Sequence, residues 1–304
     1  MASNSDPPIV EVAVVGSINL DISIPVRDLP LPGETVLGGD ALWSPGGKGA
    51  NQAVGVARLG RSVAMVGCVG DDAAGDQLLS ALVSDQISTV SVRRLIDVPT
   101  GLATIAVSDA GENSIVVSPG ANARLDASDV KDWIDRLSPR AVLTQFEVPP
   151  DAVAAIAGRV GLFVVNPAPA RQLDPDVLAA IDVLVPNKGE LAVLASSSPA
   201  ETIDEVADQA RALGVARVVV TLGGDGALVV DRAGGSPSVV HVPIVPVAVV
   251  DTTAAGDSFC AALVDALLDD ATLVDATRWA ARVAAVTVGR RGAQQSLPKR
   301  SEVR

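Results

Sequence analysis

Asp251-Thr-Thr-Ala-Ala-Gly-Asp257 runs straight into the apolar segment Ser258-Phe-Cys-Ala-Ala-Leu-Val-Asp-Ala-Leu-Leu268. Small residues at 254 to 256 allow successive backbone N–H groups to converge where a helix begins. Unpaired amides and the positive end of the helix dipole make such a junction an anion site. Asp257 falls in the first turn, where a carboxylate can accept a proton from a hydroxyl aimed at a bound phosphate. The same acid could equally do no more than complement the dipole.

What lies upstream places this junction in an α/β chain. Val10–Val15, Val63–Val69, Ala141–Phe146, Leu162–Val165, Val183–Val185 and Val218–Leu222 are short, β-branched runs bounded by Gly, Pro or Asn. Each reads as a strand buried on both faces. Helical periods over Ala50–Leu59, Ala73–Ser84, Ala127–Leu137, Ile203–Leu213 and Ser258–Leu268 alternate with them, and Gly60 and Gly214 are C-terminal caps. The alternation predicts a mostly parallel sheet with helices on both sides, an α/β/α sandwich. Val242–Val250, interrupted by Pro243 and Pro246, reads as a further buried strand with breaks.

Two stretches depart from the pattern. Leu20–Trp43 has apolar residues broken by prolines and glycines and no helical period. Thr100–Val107 and Ser114–Ser118 flank Asp109-Ala-Gly-Glu-Asn113, a hairpin loop. Together they could form a small separate sheet, a flap over the strand ends that keeps water from a site there. No linker or repeat divides the chain, so a single domain is expected over 1–304, with flap segments near 20–43 and 98–119.

Composition narrows the chemistry. The 304 residues include one histidine, His241, three Trp, three Phe and no Tyr. Multi-histidine metal sites cannot be built, and His241, between two valines, reads as a structural strand residue. A formal net charge of −13 leaves no basic stripe for a phosphate backbone, and few aromatics are available to stack bases. No apolar window reaches the roughly 18 residues of a membrane span. Met1–Pro8 lacks the features of a secretory signal, and Cys68 and Cys260 lie far apart in apolar surroundings. A cytoplasmic protein with two free thiols is expected.

The other polar clusters each admit a functional and a structural reading. Gly46-Gly-Lys-Gly-Ala-Asn51 opens a helix and offers a close backbone approach, a cation and an amide, or is merely a flexible turn. It is not a GxxxxGK[ST] loop, and the chain has no GxGxxG fingerprint. Asn19-Leu-Asp21 can turn an amide and a carboxylate to one ligand, or form an Asx turn. Glu147 follows a strand as a ligand or a surface ion pair. Asn187-Lys-Gly-Glu190 could order metal-bound water or form a capping box. Thr221-Leu-Gly-Gly-Asp-Gly226 could admit a nucleotide or simply connect a hairpin.

In this order the four motifs at 19–21, 46–51, 187–190 and 251–257 resemble the ribokinase-like (PfkB) carbohydrate kinases, over about Val10 to Pro298. Arg290-Arg-Gly-Ala-Gln-Gln-Ser296 adds to the likeness. The resemblance implies a three-layer α/β/α core with a small β-sheet lid that forms a homodimer contact. It implies transfer of phosphate from ATP to the 5-hydroxyl of D-ribose; fructose, deoxyribose and adenosine kinases of the same family are the alternatives, and a sugar- or nucleotide-binding sensor without catalysis is a remoter one. Asn19, Asp21, Gly47, Lys48, Gly49, Asn51 and Glu147 would hold the sugar, with Asp257 as general base. Amides of Ala254 to Asp257, Ala255 and Gly256 among them, would stabilise the transferring phosphoryl group. Asn187 and Glu190 would place Mg2+-ATP, and Thr221, Gly223, Gly224 and Gly226 would contact the nucleotide. A monovalent cation, K+, would lie against Asp251, Thr253, Thr287, Arg290, Gly292 and Ser296. Relatives often carry Ala at position 287 and a polar residue near the adenine at 281, where this chain has Thr287 and Ala281.

Overall fold

Strand residues in this chain alternate between two hydrophobic layers. Val12 and Val14 pack into one, Ala13 and Val15 into the other; Val63 and Met65 face the first, Ala64 and Val66 the second. Period-two alternation with apolar residues on both sides is the signature of a sheet covered on both faces. A computed structural model describes residues 10–233 and 237–304. Met1–Pro8, read above for a targeting signal, lies outside them.

The elements run in the order β1 (Val12–Val15), β2 (Asn19–Val26), β3 (Leu42–Gly46), α1 (Lys48–Arg58), β4 (Val63–Gly70), α2 (Ala73–Ser84), β5 (Val92–Leu95), β6 (Gly101–Ser108), β7 (Asn113–Ser118) and α3 (Ala127–Leu137). There follow β8 (Ala141–Thr144), α4 (Pro150–Ala154), β9 (Leu162–Val165), α5 (Pro175–Ala180), β10 (Val183–Leu184), α6 (Lys188–Leu194), α7 (Ile203–Ala212) and β11 (Arg217–Thr221). The chain closes with β12 (Ala227–Asp231), β13 (Ser238–Val242), α8 (Ala255–Leu268) and α9 (Leu273–Val288).

Nine strands form the main sheet in the order β13-β12-β11-β10-β9-β8-β1-β4-β5. It is parallel from β11 to β5, and β12 runs antiparallel to both its neighbours. Helices α1, α2, α8 and α9 cover one face; α3, α4, α6 and α7 cover the other. The two irregular stretches pair as expected, into a four-stranded sheet β3-β2-β6-β7. Its central pair, β2 with β6, is parallel and its outer pairs are antiparallel. Gly60 and Gly214 take left-handed backbone after α1 and α7, the expected helix stops.

One expectation fails. Only Val242 of Val242–Val250 is in a strand and buried; Ile244, Val245, Val247, Val249 and Val250 are exposed. Pro243 and Pro246 remove two ladder donors, so the segment leaves the sheet as an irregular stretch. Helix α9, absent from the sequence reading, follows α8 directly and makes the most extensive helix–helix contact in the fold. Cys68 and Cys260 are buried free thiols.

Candidate active site

The parallel strands end at one edge of the sheet, and the loops after β1, β8, β9, β10 and β11 meet the starts of α1 and α8 there. Gly47 opens α1 at φ +85°, and the lack of a side chain lets it pass close to the amide of Asn19; a Cβ would sit 2.8 Å from that nitrogen. The backbone so placed turns Lys48 N–H to Glu147 Oε2 at 3.0 Å, and Ser17 Oγ donates to the same oxygen at 2.5 Å. Ser17 Oγ also accepts from Gly49 N–H at 3.2 Å. The Glu147 carboxylate is therefore held by the start of α1 and, among the described residues, is not a member of a surface ion pair.

Asp257 is buried at the first turn of α8, and each of its oxygens accepts from an amide of α1. Asn51 Nδ2 donates to Oδ2 and Gln52 Nε2 to Oδ1, both at 3.0 Å. Burial raises its pKa, with Lys48, Asn51 and Gln52 acting in opposition. Asp21, on β2, is raised to about 7 by burial and by the charges of Glu147 and Asp257, against the pull of Lys48. Burial would depress Lys48, but Asp257, Glu147 and Glu190 outweigh it and raise its pKa. One ammonium thus sits among four carboxylates. Buried oxygens without a partner, Asp21 Oδ1 and Asn51 Oδ1, are available here to accept from a polyhydroxylated ligand.

The start of α8 closes one side of a cleft of about 210 Å³ that is also lined by Lys48, Asn187, Glu190 and Thr221. Ala254 caps the helix in left-handed backbone. Ala255 N–H turns back to Thr252 O at 3.2 Å, so the expected run of free amides from 254 to 257 is broken at 255. Among the described residues, the amides of Gly256 and Asp257 have no acceptor. A second cleft of about 310 Å³ adjoins the first, lined by Gly223, Gly224, Gly226, Val245, Phe259 and Ala281 among others. Small, aliphatic and aromatic walls of this kind suit a flat base. Asn187 and Glu190 do form a capping box, with both bonds at 2.8 Å. Burial raises the pKa of Glu190.

Of the residues expected around a monovalent cation, Asp251, Thr253 and Gly292 come together. Asp251 Oδ1 accepts from Thr253 N–H and Oδ2 from Gly292 N–H, both at 2.9 Å. Burial alone would raise the pKa of Asp251; these bonds and Arg291 bring it below the usual value. The hydroxyls of Thr287 and Ser296 turn to the carbonyls of Val283 and Ala293, and Arg290 pairs with Glu302. Side chains at 287, 290 and 296 thus point elsewhere, which leaves their carbonyls as the groups to consider. His241, on β13, holds Nε2 2.6 Å from the Asp225 carbonyl of the Gly223–Gly226 turn.

The residues from 10 to 300 match the model of the pfkB family of carbohydrate kinases. The chain belongs to that family. It is 39% identical to a ribokinase of Schizosaccharomyces pombe over 310 residues, covering 97% of this chain and 96% of the relative. A ribokinase structure from Thermotoga maritima superposes with a TM-score of 0.87 at 35% identity, covering 96% of this chain and 97% of that one. A ribokinase from Arabidopsis thaliana, solved with ribose and ATP, gives 0.83 at 31% identity with 96% of each chain covered.

Several groups of this kinase site escaped the sequence reading. Asn122 donates to Asn19 Oδ1 at 2.7 Å and accepts from Ile18 N–H, tying the start of β2 to the turn before α3. Arg171 donates to the carbonyls of Phe146 and Val148 at 3.2 and 3.0 Å, so it grips the backbone on both sides of Glu147. Its guanidinium also stands 4.6 Å over the Phe146 ring. Gln52, Gln145 and Asn166 form a buried amide cluster beside Asp257. Their one shared sequence signal is a polar residue at a strand end or in a buried helix turn.

Proposed function

We propose that this kinase transfers the γ-phosphoryl group of ATP to the 5-hydroxyl of D-ribose, giving ribose 5-phosphate and ADP. The observation that carries the reading is Asp257, an acceptor-only carboxylate held at a helix start beside two unpaired amides. In this scheme Asp257 takes the hydroxyl proton as the oxygen attacks the γ-phosphorus in line and ADP departs. The amides of Gly256 and Asp257 stabilise charge on the transferring group. Asn19, Asp21, Gly47, Lys48, Gly49, Asn51 and Glu147 bind the sugar hydroxyls. The apolar cleft takes the adenine, with the Thr221–Gly226 loop against the nucleotide.

Among the described residues no cluster of three His, Cys, Asp or Glu side chains gathers to hold a metal. That donor set fits an ion carried mainly by nucleotide oxygens, as Mg2+ is in kinases, with Glu190 and Asn187 as the protein's contribution. Such an ion, held there, would supply positive charge against the nucleotide phosphates. The amide-braced Asp251 and the carbonyls of Thr287, Arg290, Gly292 and Ser296 fit a monovalent cation, which would order the Thr253–Gly256 backbone without touching substrate.

A homodimer through the small sheet is supported by its uncovered apolar surface. Strand β7 is exposed along its whole length, and Leu42 and Trp43 on β3 are more than half exposed. No described helix is long and apolar enough to cross a membrane; the two buried thiols support a cytoplasmic setting.

A coupled ATP-consumption assay across ribose, fructose, 2-deoxyribose and adenosine tests the substrate. Turnover with ribose well above the others is expected; a preference for any other sugar reassigns the acceptor, and turnover with none refutes the kinase reading. The same assay in potassium and in sodium tests the cation. Potassium is expected to stimulate turnover well beyond sodium, and equal rates would remove the monovalent site.

A further inference from the structure

The two donors that hold Asp257 differ in their surroundings. Asn51 has a free acceptor oxygen for substrate, whereas Gln52 is wholly inaccessible and has every hydrogen engaged. Its orientation is dictated by a line of amides that starts at the backbone. The Val185 carbonyl only accepts, so Asn166 presents Nδ2 to it at 3.0 Å and Oδ1 to Gln52 Nε2 at 3.3 Å. Gln52 Nε2 divides its two hydrogens between Asn166 Oδ1 and Asp257 Oδ1, and Gln52 Oε1 accepts from Gln145 Nε2. Flipping the Gln52 amide would set its oxygen against a carboxylate and an amide oxygen at once.

We propose that Gln52 is a positioning residue for the reaction: fixed by Asn166 and Gln145, it holds the Asp257 carboxylate in the one plane that leaves a lone pair facing the sugar hydroxyl. The proposal rests on Asp257 being the base. A carboxylate gripped on one oxygen alone can swing about its Cβ–Cγ bond, and proton transfer depends steeply on alignment. An amide donor also favours the ionised form over the protonated one, which burial would otherwise promote. Lys48 from α1, Asp21 from β2, Glu147 after β8, Glu190 from α6 and Cys260 along α8 are the titratable groups around Asp257. A change at Gln52 leaves all of them in place.

Gln52→Leu keeps the volume and removes the donor. The measurements are kcat, the sugar KM, the acid limb of the kcat–pH profile and thermal unfolding, with Asp257→Asn made alongside. Loss of a hydrogen bond to a charged group predicts a fall in kcat of about tenfold to a hundredfold. The acid limb moves up by about one unit, because more of the carboxylate is protonated at a given pH. The sugar KM stays nearly unchanged. A normal kcat with an unmoved limb, beside an inactive Asp257→Asn, overturns the proposal while leaving the base in place. Near-normal turnover in Asp257→Asn overturns both together. A fall in kcat matched by a rise in KM, with no shift of the limb, reduces Gln52 to a packing role. Should Gln52→Leu fail to fold, Gln52→Asn withdraws the amide by one methylene and faces the same criteria.

Discussion

Turnover by Asp257→Asn is expected to fall at least about 10²-fold, with sugar affinity nearly retained, since general-base catalysis supplies roughly 10² to 10⁴. The asparagine has the same shape but cannot take the proton. It also meets the two α1 amides badly: Asn51 Nδ2 and Gln52 Nε2 both donate to Asp257, and an asparagine offers an acceptor to only one of them. The proposed sugar ligands on β2 and after β8 are untouched, so the loss should appear in kcat rather than KM. Steady-state kinetics with ribose and ATP decide it. A rate within a few-fold of the parent would remove Asp257 from the base role, and with it the central element of the mechanism.

Asp265→Ala is expected to destabilise the fold by about 3–5 kcal/mol while sparing the chemistry of the molecules that remain folded. This carboxylate is 1% exposed on α8. It accepts from Arg61 Nε at 2.7 Å, from Arg300, and from Trp279 Nε1 at 3.0 Å. Arg61 extends the cluster to Glu11 and Asp269. The group therefore ties the end of α1, α8, α9 and the C-terminal segment together. Alanine leaves buried donors without an acceptor, whose desolvation is not recovered. The loss is a large share of a total stability of about 5–15 kcal/mol. Urea denaturation checks it; a change below about 1 kcal/mol would place this cluster with ordinary surface pairs. Asp265 lies eight residues along α8 from Asp257, about 12 Å at helical rise, too far to touch the reacting groups.

The alternation of strand and helix was legible because a doubly covered parallel sheet writes apolar runs with capped helices between them. Helix α9 was not, since it follows α8 after a short turn where a strand would continue the pattern. Val242–Val250 misled for a different reason: hydropathy cannot separate a valine in a core from one lining an open cleft. Val245, Val247 and Val249 are the second kind. At the site, residues carried by the four motifs could be named, because glycines and paired polar residues at strand and helix ends leave a local mark. Gln52, Gln145, Asn166 and Arg171 belong to no such cluster. Each is a lone polar residue whose meaning comes from partners tens to hundreds of positions away, supplied only when the chain folds. The first-turn amides show the reverse limit: small residues indicated where they would gather, but not that Ala255 would turn inward to Thr252.

Strand β2 belongs to the small sheet, and it carries Asn19 and Asp21; Asn51 and Asp257 ride on helices packed against the large one. With the sugar bound as proposed, its pocket is in effect a joint whose two halves are held by different parts of the molecule. Whatever free energy the sugar contributes by bridging the halves is, by reciprocity, resistance to pulling them apart. A perturbation that displaced the small sheet would lower sugar affinity in the manner of a competitor, without any molecule entering the pocket. One that pinned the sheet in place would act as a partial substitute for the sugar itself.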